Sequence, residues 1–191
     1  MMDLQKHYRV VTDVHERVTK IVMLRLPWLI IGLVGGTIAS ILVSRYEQII
    51  RNNIGLAFFV PMIVYMSDAV GTQTETVYIR NLATIKVNFV KHLFKETATG
   101  FLLGIVLGVA VGVVARIWLG STELALSVGL AMFFNILIAP VVAIVVSEIL
   151  YKEHTDPALG AGPFTTVIQD FISLAIYFVV ATAIIGSRLS A

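Results

Sequence analysis

Apolar residues run in five long blocks along this chain, at about 27–43, 54–80, 97–119, 124–150 and 163–185, with short polar connectors between them. An α-helix needs roughly 17–25 apolar residues to cross a bilayer's hydrocarbon. The pattern therefore predicts an all-α membrane protein with five transmembrane helices. Ahead of the first block, residues 1–24 interleave Lys6, Arg9, Arg17 and Lys20 with Val11, Val14, Val18, Ile21 and Val22. Spacings of three and four between the apolar positions predict an amphipathic arm lying at the membrane surface, the alternative being a short solvated arm. Residues 25–187 form one five-helix membrane domain, and 188–191 are a tail.

Within the blocks, polar and small residues mark particular places. Pro27 suits a first helical turn and Trp28 the interface, while Gly32, Gly35 and Gly36 allow close helix contact. The second block carries Pro61, then Asp68, then the polar string Gly71, Thr72, Gln73, Thr74, Glu75 and Thr76. Hydropathy alone would end this span at Ser67 with a loop after it. Geometry favours instead a helix that continues, with or without a break, as far as Asn81, its polar side chains lining a cavity or buried in protein. Gly100, Gly104, Gly108 and Gly112 give the third block a smooth stripe for helix packing. Asn135, midway along the fourth, reads as an interhelical hydrogen-bond partner. A glycine–proline break at Gly162–Pro163 opens the fifth, and Asp170 lies seven residues beyond that proline.

Composition agrees with this reading: 58% of the 191 residues are apolar, 14% are charged and the mean hydropathy is +0.90. A soluble domain carries about a quarter charged residues. The chain is thus expected to be an integral, multi-pass membrane protein, of the plasma (inner) membrane, in contact with lipid. A net charge of +2 without a Lys/Arg tract gives no reason to expect nucleic acid. With no cysteine there are no disulfides and no thiolate sites. No nucleophile–base pair or phosphate loop is evident, so the chain is not read as an enzyme. The polar first twenty residues do not resemble a cleaved signal peptide. Lys6, Arg9, Arg17, Lys20, Arg25, Arg80, Lys86, Lys91, Lys95 and Lys152 fall on one side of a five-span topology, and only Arg45, Arg51, Arg116 and Arg188 on the other. The positive-inside rule then puts the N-terminus inside and the C-terminus outside.

The candidate chemistry lies in Asp68 and Asp170. Each follows a proline by seven residues, and the two spans run antiparallel, so both carboxylates fall in the middle to inner part of the membrane. An ionised carboxylate there is costly and needs protonation, hydrogen bonds or a cation. Ser67, Thr72, Gln73, Thr74, Thr165, Thr166, Gln169 and Ser173 surround the two acids with oxygen donors, while His7, His15, His92 and His154 lie elsewhere. Oxygen-only sites favour hard cations, and magnesium, which keeps most of its waters, needs only one or two carboxylates. The structural alternative is that either acid caps a broken helix or bonds to a neighbouring span.

RLPW at Arg25–Trp28, FFVP at Phe58–Pro61, VGTQ at Val70–Gln73 and DPALGAGPFTTVIQD at Asp156–Asp170 resemble the membrane domain of the MgtE family of magnesium channels and transporters. The resemblance implies a homodimer whose ion path follows the two-fold axis, lined by the second and fifth helices of both subunits. It implies that Asp170 is the central ligand for Mg2+, contributed twice, with the backbone carbonyl of Thr166 on the same ion. Gly71, Thr72, Gln73, Thr165 and Ser173 are candidate pore-lining positions, and Asp68 is a second acidic group. Where the family commonly has Gly-Gly-Asn ahead of VGTQ, this chain has Ser67, Asp68 and Ala69, so its pore would carry an additional carboxylate. Family members often place a large cytoplasmic sensor before the membrane domain; about 24 residues stand there in this sequence, so the expectation is either a naturally short chain or a piece of a longer one, with a separate regulatory partner as one option. The expected function is divalent cation transport, magnesium first. Its alternatives are a proton-coupled secondary transporter using the two acids, and a non-transporting membrane subunit.

Overall fold

The structure, a computed structural model, describes residues 17–85, 87–153 and 157–189. Among them the regular elements are helices: α1 (Val18–Ser44), α2 (Glu47–Asn52), α3 (Gly55–Thr84), α4 (Phe89–Leu119), α5 (Thr122–Lys152) and α6 (Pro157–Leu189). All but α2 are long and apolar enough to cross a membrane. Large apolar side chains point outward along them, such as Leu33, 72% exposed, and Ile117, 79% exposed. In water such a surface would be a liability; against lipid it is the expected one.

Local sequence sets the helix ends. Asn88 accepts from the Lys91 amide at 3.0 Å and Ser121 from the Leu124 amide at 3.3 Å, capping α4 and α5. Gly120 takes a left-handed φ of 69°, which ends α4 and reverses the chain directly into α5. The Arg116 guanidinium donates to the Gly120 carbonyl at 2.7 Å and secures the corner.

Helices α5 and α6 are central. α3 packs on both, α1 packs on α6, and α4 packs on α5 while barely touching α3. Leu56, Phe59 and Ile63 of α3 meet Met132 and Ile136 of α5 and Tyr177 and Phe178 of α6 in the main apolar core. The α4 glycines act as the stripe at 100–112 foretold. A Cβ at Gly104 would lie 2.9 Å from the Phe133 carbonyl, and one at Gly108 would lie 2.7 Å from the Gly129 carbonyl. The two backbones meet where side chains are absent, which is how helices gain contact in lipid.

The reading of the second span as a helix that continues past Ser67 holds, since α3 runs to Thr84 and the polar string is no loop, but the helix passes through Pro61 without the break expected there. Likewise α6 starts at Pro157 and runs through position 163, so Gly162–Pro163 does not break it. Each proline is the seventh residue of its helix. A proline there removes one backbone bond, a loss that neighbouring helices and local adjustment absorb in a membrane bundle. The surface arm at 1–24 lies largely outside the described residues; from Val18 onward that sequence is already the first turns of α1.

Candidate functional site

Asp68 and Asp170 are each the fourteenth residue of their helix, α3 and α6 respectively. The two helices run antiparallel. Tyr177 of α6 donates to the Leu56 carbonyl near the start of α3 at 2.7 Å, whereas position 162 near the start of α6 lies beside Glu75, far along α3. The two aspartates therefore meet midway. The Thr166 hydroxyl donates to Asp68 Oδ1 at 3.0 Å, and the negative charges of Asp68 and Asp170 lie close enough to repel. Among the described residues, neither carboxylate is in an ion pair. Two like charges halfway along membrane-length helices, with one hydroxyl between them, form a site that a cation would stabilise.

Asp170 and Thr166 line a pocket of about 290 Å³ whose remaining wall is mostly α1: Leu29, Gly32, Gly35, Gly36 and Ala39. The α1 glycines have two distinct uses. Gly35 lets Val167 seat against the α1 backbone, while a Cβ at Gly36 would meet nothing within 4 Å. Gly36 thus opens onto the space in front of Asp170, which has room for several waters around an ion. Among the described residues, no three His, Asp or Glu side chains gather into a closed metal cage. One or two carboxylates with hydroxyls and waters is the arrangement that suits magnesium.

The second contact between the helices is an amide clamp. Gln169, 2% exposed, donates through Nε2 to the Ser67 carbonyl and to Ser67 Oγ. Its amide packs on Gly71, where any side chain would collide with it. Gly71 is therefore required by the close approach of the Gln169 amide.

The remaining expected positions separate. Thr165 is buried beside Glu75. Ser173 is buried toward α5, and its carbonyl accepts from Asn135 Nδ2 at 3.4 Å. That contact gives Asn135 the interhelical role expected of it. Thr72 is exposed on the surface of α3. Gln73 lies on another side of α3, lining a cavity of about 170 Å³ with Thr74, Glu96 and Thr99. A step of 100° per residue turns it roughly 140° from Asp68, so it does not join the Asp68–Asp170 site.

Two features went unassigned by sequence reasoning. The α1 wall of the pocket had been read only as helix contact, because glycine spacing says nothing about which helix will face it. Glu75, 8% exposed on α3, had been read as part of a polar string. A signal for it existed: it follows Asp68 by seven residues, two helical turns, and so shares its face.

These features sit in a chain with clear relatives. The family model for MgtE, described as a divalent cation transporter, matches residues 60–180, which include both aspartates. The chain is 37% identical over 166 residues to a protein named magnesium transporter MgtE from Bacillus subtilis, covering 85% of this chain and 37% of that one. It is 33% identical over 175 residues to the protein of that name from Enterococcus faecalis, covering 90% of this chain and 39% of that one. A third, from Thermus thermophilus, is 30% identical over 161 residues, 82% of this chain and 35% of its own length. The chain thus spans well under half the length of these curated relatives. With the family model matched over most of the chain and five membrane-length helices in place, this multi-pass integral membrane protein belongs to the MgtE family.

Proposed function

We propose that this chain moves divalent cations across a membrane, magnesium foremost, with Asp170 as the central ligand. The observation that carries the reading is the Asp170 carboxylate itself, without an ion pair among the described residues, facing a pocket halfway along α6. The names of the relatives support magnesium as the cargo, and the oxygen-only surroundings of the site agree with a hard cation. Two copies of the chain about a two-fold axis would present two Asp170 carboxylates to one ion, with α3 and α6 of each lining the path. The Thr166 carbonyl would add a further oxygen, and Asp68 would lie within electrostatic reach. The Lys/Arg distribution supports an N-terminus inside and a C-terminus outside.

Purified protein in liposomes tests this directly, with flux measured for magnesium, calcium, manganese, cobalt and sodium. Wild type is expected to pass divalents and exclude sodium, and Asp170→Ala to abolish the divalent flux. An Asp170→Ala variant that conducts as wild type does would remove Asp170 from the path. No flux from well-folded wild type would remove the transport reading.

A further inference from the structure

Thr166 bonds differently from several other helical threonines of this chain. Thr37, Thr84, Thr97, Thr99 and Thr182 each donate to the carbonyl four residues back, at 2.7–3.0 Å. That local bond holds a hydroxyl against its own helix. Thr166 instead donates across the seam to Asp68 Oδ1 of α3 at 3.0 Å. The Asp68 carboxylate thus draws the hydroxyl away from the α6 backbone and fixes where its oxygen lies.

A threonine hydroxyl carries one proton. With that proton committed to Asp68, the Thr166 oxygen can only accept, and bonding to a carboxylate makes it a stronger acceptor. Thr166 and Asp170 lie four residues apart on one face of α6, and both line the pocket of about 290 Å³. Asp68 is close enough to Asp170 for their charges to interact. Among the described residues neither acid is in an ion pair. The polar end of the pocket therefore supplies acceptors and negative charge, opposite a wall of apolar side chains and glycines from α1. A hydrated divalent cation matches that end. Its waters donate hydrogen bonds, and magnesium gives its waters up reluctantly.

We propose that Asp68 is a specificity-determining residue of the Asp170 site, holding the Thr166 hydroxyl as an acceptor for the waters of a hydrated divalent cation. This rests on the reading of Asp170 as lining the ion path. A lone carboxylate attracts small cations with little regard to their hydration. An acceptor fixed at a second point reads the hydration shell itself, and a second negative charge favours two positive charges over one. Asp68 acts through Thr166 and through its charge, so it is a positioning residue and leaves direct ligation to Asp170.

Hexaamminecobalt(III) serves as the probe, because its ammonia ligands do not exchange and donate hydrogen bonds as the waters of hydrated magnesium do. Its block of magnesium flux and the magnesium-to-manganese flux ratio are measured on the full chain in liposomes, with thermal midpoints in detergent. Wild type is expected to be blocked. Asp68→Asn keeps an acceptor for Thr166 but loses the charge, and should weaken the block about tenfold, the scale of one charge-assisted hydrogen bond. Asp68→Gly loses both, and should weaken it further and shift the flux ratio toward manganese. Adding Thr166→Val to Asp68→Gly should then change little, since the two residues act in series. Wild-type block and flux ratio in both Asp68 variants, whatever their thermal midpoints, overturn the proposal and leave the bond a structural tie. Wild type insensitive to the cobalt complex overturns recognition of a hydrated ion. If Asp170→Ala conducts as wild type does, the reading of Asp170 fails and this proposal with it. If Asp170→Ala is dead and the Asp68 variants are unchanged, only the role of Asp68 falls. Should Asp68→Gly fail to fold, Asp68→Asn decides, because it keeps the side chain's shape.

Discussion

The Thr166 hydroxyl of α6 donates to Asp68 Oδ1 of α3 at 3.0 Å, while Thr166 also lines the pocket of Asp170. One side chain thus links the surroundings of both intramembrane aspartates. Thr166→Val keeps the shape and removes the donor. A partly buried carboxylate deprived of such a bond costs about 1–3 kcal/mol. The variant should therefore unfold at lower temperature in detergent, whereas Thr166→Ser, which keeps the hydroxyl, should not. Equal midpoints for wild type and Thr166→Val would mean that the bond contributes nothing to holding α3 and α6 together.

The α4–α5 hairpin should be graded in its tolerance of added methyl groups. At Gly108 a Cβ would stand 2.7 Å from the Gly129 carbonyl, a backbone atom that cannot swing aside. At Gly112 the nearest atom is the Ala125 carbonyl at 3.3 Å, a contact that a small shift relieves. Overpacking of the first kind typically costs about 1–3 kcal/mol. Gly108→Ala should therefore lower the yield of monodisperse protein and its thermal midpoint more than Gly112→Ala does. The reverse order would show that the helices do not meet along this stripe.

Gly71→Ala probes the amide clamp. The new methyl would occupy the space of the Gln169 amide and force it off Ser67 Oγ and the Ser67 carbonyl. Buried and displaced, the amide would leave donors unsatisfied at a cost of about 1–3 kcal/mol. The expected result is a less stable protein whose stability is partly restored by Gln169→Ala, which removes the colliding group. A double variant no more stable than Gly71→Ala alone would separate the two residues.

The spans and the seam between α3 and α6 were legible from composition and spacing because each rests on a local rule. Apolar length predicts crossing, and an unneutralised aspartate deep in a span predicts a partner or an ion. Asn135 was legible for the same reason, since a buried amide must bond somewhere. What spacing could not convey was rotation and partnership. Gln73 and Glu75 stand two residues apart in one polar string, yet a helix turns them to different sides, one toward Glu96 and one toward Thr165. Pro61 and Pro163 read as breaks because proline forbids one backbone bond, but a packed bundle tolerates that loss and both helices continue. The α1 wall was hidden because a glycine run serves close packing and open space equally well.

That double use of glycine gives the sharpest prediction about access to Asp170. Gly35 and Gly36 are adjacent in α1, but Gly35 is pressed by Val167 while Gly36 faces the pocket with no atom within 4 Å of an added Cβ. A leucine at Gly35 must push α1 away from α6 and should destabilise the fold. A leucine at Gly36, whose Cβ would meet no atom within 4 Å, should extend into the pocket of about 290 Å³ and exclude water from the front of Asp170. A cation that must reach Asp170 with part of its hydration shell would then meet an apolar wall, and a barrier raised by about 1.4 kcal/mol slows passage tenfold. Gly36→Leu is accordingly expected to keep the wild-type thermal midpoint while magnesium flux falls by about tenfold or more. Gly36→Ala should lie between the two, and Gly35→Leu should lose stability as well as flux. Wild-type flux through Gly36→Leu would mean that ions approach Asp170 from a side that α1 does not line.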